Sequence, residues 1–216
     1  MVRGMRRAVR GAGVAISAVG LLAGCSLKTE AKPDEPVGNP QNEVKESVEP
    51  SPTVAVGGRV GGPGSPCELP VSFDLAADWA PKPVVEDTQF GLTSMGAVTL
   101  KCEIDAKPAG IIGFLRIWVG AKVGEDSNAV LKEFVAENAK SRKSEVFTQG
   151  QAGGFKMAEV TYLNTNEFIK IPKKERAFAL ATPKGVVVFD LGGLDSAEHE
   201  EMLPAYELAK KSLKAN

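Results

Sequence analysis

Apolar and polar residues alternate over Val71-Ser-Phe73-Asp-Leu75, which predicts a half-buried strand. Ala76 to Pro83 breaks it, and residues 84–96 show no clear period. Val98 to Asp105 and Gly110 to Val119 then predict a hairpin turning at Ala106-Lys-Pro-Ala-Gly110. In its second strand Ile111, Gly113, Leu115, Ile117 and Val119 form an apolar face. Ile112, Phe114 and Trp118 make the other face mostly apolar, with Arg116 among them. A strand apolar on both sides belongs inside a layered structure.

Asp126 or Ser127 caps a helix whose Val130, Leu131, Phe134, Val135 and Ala139 recur at helical spacing. Strands are expected at Glu145 to Thr148, Phe155 to Leu163, Arg176 to Ala181 and Val186 to Leu191. The last two flank a Thr182-Pro-Lys-Gly185 turn. Gly192-Gly193 ends the final strand. Asp195 caps the closing helix, with Glu198 placed for a capping box. Pro204 predicts a break, with the main helix running from about Leu203 to Leu213. Two helices are too few to cross over between six or more parallel strands. The order therefore predicts an α+β fold, an antiparallel sheet with helices packed on it.

The first 66 residues read differently. Arg3, Arg6, Arg7 and Arg10 precede a short apolar run, Gly11 to Gly24, too short to span a bilayer of ~30 Å. It ends Leu22-Ala-Gly-Cys25, which resembles a bacterial lipobox. That resemblance implies cleavage before Cys25 and a diacylglycerol on its thiol. The expected signal peptide is 1–24, and the expected location is the outer face of the cytoplasmic membrane, with the bilayer a partner through the lipid. Arg6-Arg7 leaves a twin-arginine export route open beside the general secretory one. Residues 26–66 hold seven of the fourteen prolines, many charges and a run of glycines. Such a composition buries too little to offset its ordering entropy, so 25–65 is expected to be a linker and 66–216 the folded domain. A flexible chain of ~40 residues reaches about 35 Å.

Losing residues 1–24 removes four arginines and no acid, taking the net charge from -1 to -5. A mildly acidic domain is unsuited to nucleic acid, whose binding rests on phosphate neutralisation. With Cys25 lipidated, Cys67 and Cys102 remain in an oxidising compartment and are expected to pair.

The candidate chemistry is thin. Gly91-Leu-Thr-Ser94-Met-Gly96 misses the serine-hydrolase elbow by one residue and precedes no helix. His199 is the single histidine. It stands among Glu198, Glu200 and Glu201, as an exposed polar residue would, and with Asp195 it makes a poor metal site. Gly150, Gly153 and Gly154 lack the Gly-Lys-Ser/Thr of a phosphate loop. Arg116 and Glu159 are expected on neighbouring strands as a cross-strand pair. Lys170, Lys173, Lys174 and Arg176 form a basic stretch expected to be solvated. Trp79 and Trp118 are expected in the core. No catalytic residue, metal or cofactor is expected.

The order of elements resembles the α/β/α sandwich of PsbP-like domains, and more closely the small actinobacterial lipoproteins of the LpqN-type group. The segments that carry this are Val71-Ser-Phe-Asp-Leu-Ala-Ala-Asp-Trp79, Cys102-Glu-Ile-Asp-Ala, Phe114-Leu-Arg-Ile-Trp118-Val, Glu159-Val-Thr-Tyr162 and Leu191-Gly-Gly-Leu-Asp195. The resemblance covers roughly residues 66–216. It implies a binding or scaffolding domain that works through an envelope protein partner, without a shared enzymatic activity. A carrier of a small ligand or lipid is the alternative, and it requires an apolar cavity between sheet and helices.

Overall fold

The computed structural model describes residues 53–84, 93–166 and 170–216. In chain order these form β1 (Val56–Val60), β2 (Val71–Ala76), β3 (Ala80–Pro83), β4 (Ser94–Met95), β5 (Val98–Asp105) and a single 3-10 turn, Lys107–Ala109. There follow β6 (Gly113–Val119), α1 (Ser127–Asn138), β7 (Arg142–Ala152), β8 (Phe155–Thr165), β9 (Pro172–Thr182), β10 (Gly185–Gly193), α2 (Ser196–Lys211) and β11 (Lys214–Ala215). The main sheet has the order β3-β5-β6-β10-β9-β8-β7, with β4 alongside β5. A small sheet has the order β1-β2-β11. All their pairings are antiparallel. This is an α+β fold.

Side-chain alternation divides the apolar residues between two cores. Val187, Phe189 and Leu191 of β10, with Phe178 and Leu180 of β9, meet α2 and the small sheet. Val186 and Val188, with Ala177 and Ala179, meet α1 through Leu131, Phe134 and Val135. The first core is closed by rings: Phe178 stacks on Phe189 at 4.4 Å, while Phe73 and Tyr206 meet that pair edge-on. The small alanines of β9 leave room for α1, while the phenylalanines fill the wider gap under α2. Trp79 and Trp118 are both buried.

The sequence pattern and the structure part company in several places. Val98, Leu100, Cys102 and Ile104 alternate as one face, yet the first pair lies in the α1 core and the second in the α2 core. The register of β5 against β6 shifts between Leu100 and Cys102. One inserted residue exchanges the two faces of everything beyond it. Ala80–Pro83 is a strand rather than a break, at the edge of the sheet, where proline is tolerated. β7 runs well beyond Glu145–Thr148 as a mostly exposed edge strand, so it carries little alternation. The helix α2 continues through Pro204. An interior proline removes a hydrogen bond and costs roughly 3 kcal/mol. Burial of Met202, Ala205, Tyr206 and Ala209 on both sides of it offsets that loss.

The domain also starts earlier than residue 66. β1 lies inside the stretch assigned to the linker, pairs with β2 and buries Val60. Composition missed it because this segment is held by backbone. Gly61 accepts hydrogen bonds on its carbonyl from Leu69 N at 2.9 Å and Asn216 Nδ2 at 2.7 Å. Its φ of 99° and the nearness of the Val71 carbonyl leave no space for a Cβ. The expected signal peptide, Cys25 and the linker up to residue 52 lie outside the described residues. Cys67, in the loop before β2, is joined to Cys102 of β5 by a disulfide, their Cα atoms 5.8 Å apart.

Candidate binding cleft

α1 ends at Asn138 and leaves one end of the main sheet uncovered. There β6 presents Phe114 and Arg116, half-buried, where Trp118 further along is fully covered. The antiparallel registers set Glu103 of β5, Arg116 of β6 and Asp190 of β10 side by side across three strands. Glu175 and Lys173 of β9 follow on the same side. The result is a cleft of about 340 Å³, open to solvent, with Phe114, Arg116, Asn164, Lys173, Glu175 and Asp190 among its lining.

Its charges are unevenly satisfied. Arg116 Nε donates to Glu103 Oε1 at 2.8 Å, and its guanidinium lies over the Phe114 ring. Lys173 Nζ is 2.9 Å from Glu175 Oε1 and donates to the Gly193 carbonyl at 2.8 Å. Asn164 Nδ2 also donates to Glu175. Asp190 is only 3% exposed, and its Oδ1 accepts no hydrogen bond from the described residues. Burial, reinforced by the Glu175 charge, pushes the Asp190 carboxyl up to about 7, against the opposite pull of Arg116 and Lys173. Neighbouring Tyr162 is held above its ordinary pKa by burial first and by the Asp190 charge second.

The opposite face of the sheet carries a different polar group. Tyr206 is fully buried and donates its hydroxyl to Glu159 Oε1 at 2.8 Å. Lys210 Nζ bonds the same carboxylate at 3.0 Å and Glu207 at 2.7 Å. Every member has a partner, and burial with Glu159 beside it keeps Tyr206 protonated. This cluster fastens α2 to the sheet. Tyr206→Phe should lower stability by about 1.5–3 kcal/mol, the range for a hydrogen bond to a charged acceptor. An unchanged urea midpoint would refute that.

The residues singled out from sequence fall as follows. Arg116 and Glu159 do not pair: they lie on non-adjacent strands, with β10 and β9 between them, and on opposite faces. His199 is buried, not exposed, because the first turn of α2 rolls it onto the sheet. Desolvation lowers its pKa to about 4, and its Nδ1 has no hydrogen-bond partner among the described residues. Asp195 Oδ1 accepts from the backbone of Ala197 and Glu198, as a cap should. The Glu198 carboxylate instead accepts from Ile112 N at 3.0 Å, tying α2 to the start of β6. Ser94 sits in β4, while Gly91 and Leu92 lie outside the described residues. Gly153-Gly154 is the two-residue turn between β7 and β8. Lys174 and Arg176 of the basic stretch are paired, with Glu200 and Glu207. Among the described residues no group of three or more His, Cys, Asp or Glu is placed to hold a metal.

Sequence reasoning missed Asp190 and Glu175. A signal was present: Asp190 is the single charge in Gly185-Val-Val-Val-Phe-Asp-Leu-Gly-Gly193, a run too apolar for anything but a strand covered on both sides.

A protein-family model described as "uncharacterised lipoprotein" matches residues 38–213. Among solved structures, the chain is similar to LpqN of Mycobacterium tuberculosis, described as involved in cell envelope biogenesis. The two share 13% sequence identity with a TM-score of 0.37, over 70% of this chain and 86% of that one. No curated protein matches the chain.

Proposed function

The chain belongs to that family of uncharacterised lipoproteins, and from this premise we propose a membrane-anchored, non-enzymatic module that binds a protein partner in the cell envelope. Lipid on Cys25 holds it at the outer face of the membrane. Residues up to 52 set the reach of the domain, and the Cys67–Cys102 pair stays oxidised in that compartment. No helix among the described residues is long and apolar enough to cross a membrane.

One observation carries the partner reading. Of the large apolar side chains left exposed, Ile112, Ile171 and Leu194 gather around the cleft. Leu194 N donates to the Ile112 carbonyl, which sets these two side by side. Apolar residues beside a buried polar anchor exclude water from it once covered, as the ring around an interface hot spot does. The carrier reading draws on one observation as well. The cleft volume lies at the low end for small-molecule sites. It opens to solvent beyond α1, however, and the space between sheet and α2 is filled by aromatic rings.

A photo-crosslinking residue in place of Leu194, in intact cells, tests the proposal. Val123, exposed past the opposite end of β6, serves as the control position. One envelope protein should be captured from position 194, not from 123, and should be lost with Cys25→Ser. Identical captures from both positions would sink the partner reading. A lipid or metabolite retained by the purified domain would favour the carrier.

A further inference from the structure

Resting on the partner reading above, we infer that the Asp190 cleft is a socket for a single cationic side chain, arginine or lysine, presented by the partner protein. Asp190 is more than nine-tenths buried, lines the cleft, and keeps Oδ1 without a donor among the described residues. A buried acceptor left bare costs free energy that a ligand donor recovers.

The neighbouring charges say which donor. Arg116 is engaged by Glu103, and Lys173 by Glu175 and the Gly193 carbonyl. With Glu103 counted beside the lining residues, the two ion pairs are each neutral, and ionised Asp190 brings the group to a net charge of -1 despite the pull of Arg116 and Lys173. The Glu175 charge opposes that ionisation. A neutral hydroxyl or amide would satisfy Oδ1 but leave the charge and the repulsion. A cation removes all three deficits at once, and a buried charge is tolerated only when it is paired and hydrogen-bonded.

The rim says that the cation belongs to a protein. Ile112 is 51% exposed, Leu194 54% and Ile171 65%. Leu194 borders both the polar cleft and an adjoining, mostly apolar hollow of about 360 Å³ that Ile171 also lines. A free amine seated on Asp190 would leave this rim in water. A side chain carried by a polypeptide brings apolar neighbours that cover it. An arginine set in a water-excluding ring is a recurrent anchor of protein interfaces.

The test uses the mature chain with Cys25→Ser and two capped tripeptides, Leu-Arg-Leu and Leu-citrulline-Leu. Citrulline keeps the shape of arginine and removes its charge. In a nuclear magnetic resonance titration at pH 8, the arginine peptide should shift the amide signals of Gly192, Gly193 and Leu194 saturably. It should bind about tenfold or more tighter than the citrulline peptide, a gap that Asp190→Asn should abolish. Equal affinity for the two peptides would overturn the cationic assignment. So would an arginine response unchanged in Asp190→Asn, or no saturable response at these residues. The crosslinking experiment keeps the two ideas apart. If Asp190→Asn leaves the partner captured from position 194 in place, the socket fails and the partner module stands. If nothing is captured from that position in the wild type, the partner reading fails on its own.

Discussion

Asp190→Asn should make the protein more stable at pH 8, by up to about 4 kcal/mol, and leave it almost unchanged at pH 4. The sign follows from the raised carboxyl. In the unfolded chain Asp190 ionises near its ordinary value of 3.8; in the folded protein it holds its proton to about 7. Between those values the folded state binds the extra proton. The Asp190 contribution to stability therefore falls as pH rises from about 4, by roughly 1.4 kcal/mol per unit, and levels off above 7. Asparagine has the same shape and does not titrate, so the whole decline should vanish. Urea unfolding of both proteins from pH 4 to pH 8 reads this directly. A variant less stable than wild type at pH 8 would mean that Asp190 is held by bonds the structure does not contain.

His199 supplies an internal control. Its folded pKa is lowered to about 4 from an ordinary 6.5, so the unfolded state binds more protons between those values. Its contribution is present at neutral pH and is lost as pH falls through that window. Over pH 4 to 6.5 the two groups act in opposite senses, and wild-type stability should be nearly flat. Asp190→Asn removes one of them. The variant should then gain stability with rising pH over the same range, with the slope of the buried histidine alone.

The strands around Asp190 were legible in the sequence because their periods are long and their turns explicit. Thr182-Pro-Lys-Gly185 announced the β9–β10 hairpin, and Asp126 and Asp195 marked both helix starts. Elements held by backbone or by a sheet edge were not legible. β1 is glycine-rich and β3 carries two prolines, so neither bears an apolar pattern. The cleft was hidden for a different reason. It is formed by the register of β5, β6 and β10, which brings Glu103, Arg116 and Asp190 together from positions far apart in the chain. No local window contains that row. The bulge at Leu100/Cys102 adds a further twist, since it decides that Glu103 shares a face with Arg116. The expected Arg116–Glu159 pair rested on placing their strands side by side, where β10 and β9 in fact intervene, and the expected exposure of His199 rested on its acidic neighbours.

The second large effect concerns the bond between the two sheets. The small sheet shares no strand with the main one; it meets it through the core that holds Phe73, Phe189 and Tyr206. Beside the chain itself, which runs from β2 into β3, the Cys67–Cys102 bridge is a covalent cross-link over that boundary, between the loop before β2 and an inner strand of the main sheet. Its sequence separation is 35 residues, and closing a loop of that length removes unfolded-state entropy equivalent to about 4 kcal/mol. Both cysteines are buried, so replacing them also removes packed sulfur from the core. The Cys67→Ala/Cys102→Ala double variant should therefore unfold about 4 kcal/mol more easily than wild type in denaturant. The loss should not be spread evenly. Amide exchange should accelerate most at β1 and β2, which retain their mutual pairing and α2 but lose their fixed distance to β5, while β9 and β10, enclosed between both helices, keep their protection. A uniform rise across all strands would show that the two sheets unfold as one unit with or without the bridge. An unchanged midpoint would show that the core between them suffices to hold the small sheet in place.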